Sequence, residues 1–111
     1  MYNILVCDDE RDIVSAIRIY LTGEGYHVLE AYSGAQALEV IQQEKVDLVL
    51  MDIQMPKMDG YAATRQIRTL PSDVANVPIV AMTADAFAED VERTQAAGMR
   101  SAGIHGTRPS R

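Results

Sequence analysis

Tryptophan is absent from this 111-residue chain, phenylalanine occurs once and cysteine once. A single cysteine excludes a disulfide framework, and the place of Cys7 in an apolar, strand-like run reads as a buried, inert thiol. Basic residues are few as well: ten Lys and Arg stand against sixteen Asp and Glu, for a net charge of -6. They are scattered, and without a basic stripe general binding to nucleic acid or to an anionic membrane surface is excluded. No apolar run reaches membrane-spanning length and no charged-then-apolar leader opens the chain, so a soluble, cytoplasmic protein is expected. Neither G-x-G-x-x-G nor G-K-[ST] follows the first apolar run, which argues against a dinucleotide or mononucleotide binder. Internal repeats, low-complexity segments and interdomain linkers are also missing.

What is present is a single domain's worth of apolar residues, 48% of the chain, in an ordered alternation. Tyr2–Cys7 is a compact apolar run that ends on Asp8, Asp9 and Glu10. From Arg11 to Gly23, Ile13, Ala16, Ile17, Tyr20 and Leu21 recur at helical spacing and predict one buried face. His27–Ala31 is short enough for a strand, and Ser33 with Gln36 resembles a capping box opening a helix that turns Ala37, Leu38 and Ile41 inward. Tyr61–Leu70 places Ala63, Ile67 and Leu70 on one helical side. The linker between Pro71 and Pro78 cannot be helical throughout. Ile79–Met82 is another apolar run, ending in Thr83, and Phe87–Ala97 is a weakly amphipathic helix closed by Gly98. Strand and helix thus alternate, which predicts an α/β fold: a parallel sheet with right-handed crossovers and helices on both faces.

The chain is organised around VDLVLMDIQMPKMDG, Val46 to Gly60. Its apolar part predicts a strand buried on both faces, with Asp52 where the strand runs out. Pro56 and Asp59-Gly60 force a loop before the next helix, leaving Asp52 at the rim of the sheet, the edge where open α/β sheets bind ligands. In a parallel sheet the strand ends share that edge, so Asp8, Asp9, Asp52 and Thr83 should meet there. Gathered carboxylates repel one another unless a cation relieves them. Mg2+ suits such oxygen donors, and the combination of a metal, an exposed carboxylate and a hydroxyl suits phosphoryl transfer, with Asp as nucleophile. Taken alone, each part has a plainer explanation: acids favouring a helix N-terminus, a hydroxyl ending a strand, methionines packing a core. The joint spacing is the specific signal.

On ILVCDDE, LVLMDIQMPKMDGYAA and PIVAMTADA the sequence, from Tyr2 to Met99, resembles the receiver domains of two-component response regulators. The resemblance implies a flavodoxin-like, doubly wound sheet of strand order 2-1-3-4-5. It implies Mg2+ held by Asp9 directly, by Asp8 through water, by Asp52, and by the backbone carbonyl of Gln54. It makes Asp52 the acceptor of a phosphoryl group from the phosphohistidine of a sensor histidine kinase or a histidine phosphotransfer protein. Thr83 becomes the switch hydroxyl, with Ala84 its small neighbour and the following helix the responding surface. Such a domain is not an enzyme beyond catalysing its own phosphorylation and dephosphorylation.

The C-terminal residues depart from this pattern. The family places a Lys at the end of a fifth strand, whereas no Lys occurs here beyond Lys57. Arg108 can be aligned there only with extra residues after Met99, and its planar fork is no equivalent of a point charge. Residues 1–99 are therefore read as a truncated receiver and residues 100–111 as an atypical, foreign or frameshifted tail, in which only Ala102 and Ile104 are apolar enough for a strand. The fifth strand should be incomplete and the last helix missing, and an uncovered apolar face should drive dimerisation or exchange of elements between chains. A haloacid-dehalogenase-like phosphatase is excluded by the spacing after Asp8. The remaining alternative is a receiver-like interaction module, or folding fragment, that no longer signals.

Overall fold

The computed structural model describes residues 2–55, 57–82 and 97–101. Pro56, Thr83, Ala84, the helix expected over Phe87–Ala97 apart from Ala97 itself, and Arg108 lie outside those residues.

The strands and helices alternate as the hydrophobic pattern predicts. They are β1 (Asn3–Cys7), α1 (Arg11–Gly23), β2 (His27–Ala31), α2 (Gly34–Gln43), β3 (Leu48–Asp52), α3 (Gly60–Ile67), α4 (Ser72–Ala75), β4 (Ile79–Met82) and β5 (Arg100–Ser101). The sheet is parallel, in the order β2-β1-β3-β4-β5, the flavodoxin-like arrangement. Among the described residues the fifth strand is Arg100–Ser101, so the sheet runs into the segment that departs from the sequence pattern. Among the described residues no helix follows it.

Successive side chains of a strand point to opposite faces, and the two faces are covered very unequally. Leu5, Cys7, Val49, Met51, Ile79 and Ala81 point to the face covered by α2 and α3, in the larger core with Ala37, Ile41, Ala63 and Ile67. On the other face, among the described residues, Ile4, Val6 and Val14 are buried, with Ile17, Leu21, Leu48, Leu50 and Met82 half-buried around them. Within β3, Val49 and Met51 are fully buried on one face, while Leu48 and Leu50 on the other are half-buried rather than buried.

The stripe expected on α1 is also corrected. Val14, Ile17 and Leu21 face the sheet, while Ile13 is 40% and Tyr20 67% exposed. Both sets satisfy helical spacing, and the rotation that seats Val14 over Ile4 and Val6 leaves the flank of Ile13 and Tyr20 uncovered. Helix α2 starts at the N-cap that the capping box predicts, Ser33 Oγ accepting from Gln36 N at 3.1 Å, while the return bond falls one residue early, Gln36 Oε1 accepting from Tyr32 N at 2.8 Å. Helix α3 stops at Ile67, short of Leu70, and the linker after Pro71 forms the single turn of α4.

Candidate functional site

Strand register assembles the site. β1 and β3 are neighbours with Cys7 opposite Met51, so the next residue of each strand, Asp8 and Asp52, reaches the same sheet edge. β4 lies on the other side of β3 with Met82 opposite Asp52. One carboxylate oxygen each from Asp8, Asp9 and Asp52 lies within 4.8 Å of the others. Asp8 is buried, Asp52 partly buried and Asp9 exposed, so the cluster grades from the core into water. It opens on a cleft of about 460 Å³ lined by these three with Glu10, Ile13, Gln54 and Met82.

Backbone amides hold the acids in place. Asp8 Oδ1 accepts from Glu10 N at 2.9 Å, and Asp52 Oδ1 accepts from Gln54 N at 3.2 Å. The β3–α3 loop is anchored at its far end, where Asp59 caps α3 by accepting from Ala62 N at 2.9 Å. Gly60 N donates to Ile53 O at 2.9 Å, and a Cβ on Gly60 would lie 2.2 Å from the carbonyl oxygen of Asp52. Only glycine permits this approach, so the turn residue read from the sequence also sets the position of the Asp52 backbone.

The electrostatics follow from the burial and crowding of these acids. Burial, followed by the charge of Asp8, pushes Asp52 from 3.8 up to about 6, although its bond from Gln54 acts the other way. Burial also raises Asp8, the Glu10 amide opposes that rise, and Asp9 adds to it. Cys7, fully buried beneath the acids, is pushed up to about 12 by burial and then by Asp52, Asp8 and Asp9. Its thiol donates to Ser33 O at 3.3 Å and sits 3.7 Å from Met55 Sδ, which makes it the inert core residue expected. An all-oxygen donor set in which burial first and neighbouring charge second raise two members fits a hard divalent cation, which would relieve the repulsion among them.

The structure thus brings Asp8, Asp9, Asp52 and Gln54 to one cleft, while Thr83 lies outside the described residues. Sequence reasoning did not single out Glu10, Ile13 and Met82 as lining residues. The signal for Glu10 was its place directly after Asp8-Asp9. For Ile13 the signal pointed the other way, because its apolar side chain was assigned to the core.

A family model described as the response regulator receiver domain matches residues 4–102. The CAI-1 autoinducer sensor kinase/phosphatase CqsS of Vibrio cholerae is 38% identical over 96 residues, covering 86% of this chain and 14% of that protein. The sensor histidine kinase RcsC of Salmonella typhimurium is 39% identical over 98 residues, 88% of this chain and 10% of that protein. The response regulator MprA of Mycobacterium ulcerans is 38% identical over 89 residues, 79% of this chain and 37% of that protein. The chain therefore spans less than half the length of these curated relatives. Among solved structures, the Vibrio cholerae chemotaxis protein CheY4 matches with a TM-score of 0.86 at 28% identity, covering 91% of this chain and 83% of that one. The N-terminal domain of a response regulator receiver protein from Methanoculleus marisnigri gives 0.82 at 32% identity, covering 91% and 81%. Sheet order, acid placement and a family match across both place this chain in the response regulator receiver domain family of two-component signal transduction.

Proposed function

We propose that Asp52 accepts a phosphoryl group from the phosphohistidine of a sensor histidine kinase or a histidine phosphotransfer protein, with Mg2+ held by Asp8, Asp9, Asp52 and the Gln54 carbonyl. The observation that supports this reading is the meeting of three carboxylate oxygens within 4.8 Å at an open cleft. Gln54 N holds one oxygen of Asp52, and the second oxygen acts as the nucleophile on phosphorus. The phosphorus–nitrogen bond breaks as the acyl phosphate forms, and its electron pair stays on the imidazole of the donor. When bound, the cation relieves the repulsion among the acids and spreads the charge of the transferred group. The Glu10 amide opposes the rise that burial imposes on Asp8, and a cleft of three gathered carboxylates favours a cation before it admits a phosphoryl group.

The acyl phosphate adds charge and acceptor oxygens at the end of β3. Thr83, which follows Met82 of the cleft lining, is the hydroxyl that bonds to them, pulling its loop inward and biasing the segment beyond it. A phosphohistidine donor supports a cytoplasmic location. Among the described residues no helix is long and apolar enough to cross a membrane. For a second copy of the chain, α1 offers the exposed Ile13, Ile19 and Tyr20.

A second reading, a receiver-shaped module that does not signal, is favoured by the absence of any Lys beyond Lys57. One experiment separates the two: labelling of the wild type and of Asp52→Asn by a small acyl phosphate, with Mg2+ and with EDTA. Expected is label on the wild type only, and only with the metal. Equal labelling of Asp52→Asn overturns the assignment of Asp52, and an unlabelled wild type supports the silent module.

A further inference from the structure

Arg11 stands in an unfavourable place for a cation. It is the first residue of α1, where the helix dipole favours acids, and Asp9, Glu10 and Asp12 flank it in the chain. A guanidinium so placed is expected to pair with a neighbouring carboxylate. Glu10, which separates it from Asp9, is extended, so the step from Asp9 to Arg11 is at most about 7 Å, within the reach of an arginine side chain. Yet the ion pairs among the described residues are Arg18–Glu30 and Lys45–Asp47. The guanidinium carbon of Arg11 lies instead 4.1 Å from the centre of the Tyr32 ring.

That ring is fixed from three sides. Tyr32 is half-buried against the smaller core around Val14, its amide donates to Gln36 Oε1 at 2.8 Å, and its hydroxyl donates to Glu30 Oε1 at 2.8 Å. The other oxygen of Glu30 accepts from Arg18 Nε at 2.7 Å. Arg18 follows Arg11 by two helical turns and shares its face of α1. Ala31, directly before Tyr32, accepts from Asp8 N at 3.2 Å. The stretch that carries the acids is thus attached through Asp8 and Arg11 to two consecutive residues. At exposed positions a cation–π contact and an ion pair are of comparable strength, so a ring already held in place decides between them.

We propose that Tyr32 is a positioning residue for the cation site: by holding Arg11 over its ring it keeps the guanidinium off Asp9, the exposed carboxylate of the cluster, and leaves that carboxylate to the divalent ion. Without the ring, Arg11 pairs with Asp9, takes up a donor oxygen and sets a positive charge where the cation must bind. The inference rests on the cation site proposed above.

The test is the Mg2+ dissociation constant of the full chain, measured by calorimetry. Tyr32→Leu should bind Mg2+ about three- to fivefold more weakly, the effect of one exposed ion pair, while Tyr32→Phe, which keeps the ring, should stay within about twofold of the wild type. Adding Arg11→Gln to Tyr32→Leu should restore wild-type affinity, a rescue that a general loosening around Tyr32 would not allow. Arg11→Gln alone should bind as the wild type does, because the guanidinium is already withdrawn. Tyr32→Leu binding as the wild type, a double variant as weak as Tyr32→Leu, or a severalfold gain in Arg11→Gln overturns the proposal. Should the Tyr32 variants fail to fold, proton spectra of the wild type decide: the Arg11 side-chain resonances should be shifted upfield by the ring, and unshifted resonances overturn the contact. A wild type that binds no Mg2+ overturns the cation site and this inference with it, whereas a binding wild type matched by every variant overturns this inference alone.

Discussion

Replacing Asp52 by Asn should make the metal-free protein more stable, and the gain should depend on pH in a defined way. Burial and Asp8 raise the Asp52 carboxyl from 3.8 to about 6, so the folded state disfavours its charge. Below about pH 4 the group is protonated both folded and unfolded, and nothing is lost. As pH rises through about 4 to 6 the unfolded chain releases this proton first, so the folded state binds more protons and stability falls. Above about pH 7 the penalty is complete. At about 1.4 kcal/mol per tenfold change in proton affinity, the upper bound is about 3 kcal/mol. The side chain is only partly buried and water screens it, which lowers the expectation to about 1–2 kcal/mol, or about 4–8 °C in Tm for a domain of this size. Asn keeps an oxygen for the Gln54 amide, so the substitution removes charge with little change of shape.

The assay is thermal unfolding of both proteins in EDTA at pH 7.5 and pH 5. Asp52→Asn should melt higher at pH 7.5, and its advantage at pH 5 should be about half as large, because the carboxyl is then only partly ionised. Excess Mg2+ should stabilise the wild type more than the variant and narrow or reverse the difference, as the proposed binding to the folded carboxylate set requires. A variant that is no more stable than the wild type in EDTA at pH 7.5, or a gain equal at both pH values, would refute the picture of unrelieved repulsion.

Three further outcomes follow from the packing around the site. Gly60→Ala must move backbone to clear the 2.2 Å approach to the Asp52 carbonyl, so urea unfolding should show a loss of about 2–3 kcal/mol, with acyl-phosphate labelling reduced; an unchanged midpoint would mean that the loop yields freely. Ser33→Ala removes the oxygen that Gln36 N uses at the start of α2, at a cost of about 1 kcal/mol read from the same titration. Cys7, held at about 12 and buried, should resist iodoacetamide in the native protein at pH 8 and react fully in urea; rapid native alkylation would contradict its place in the core.

The sequence encodes the acid cluster more legibly than the rest of the molecule, for a physical reason. Asp8, Asp9 and Asp52 are marked locally, each ending an apolar run, and parallel topology alone brings such ends to one edge. The rotation of α1 has no such mark. Val14, Ile17 and Leu21 compete with Ile13, Ala16 and Tyr20 for the same periodicity, and the choice rests on the shape of the sheet surface at Ile4 and Val6. Gly60 is legible as a turn residue but not as the neighbour of the Asp52 carbonyl. The two kinds of position should therefore respond differently to substitution. At Asp8, Asp9 and Asp52 a neutral isostere alters charge and metal affinity while the strands stay where apolar burial puts them. At Gly60 a change leaves the charge of the cleft intact and displaces the main chain that carries it.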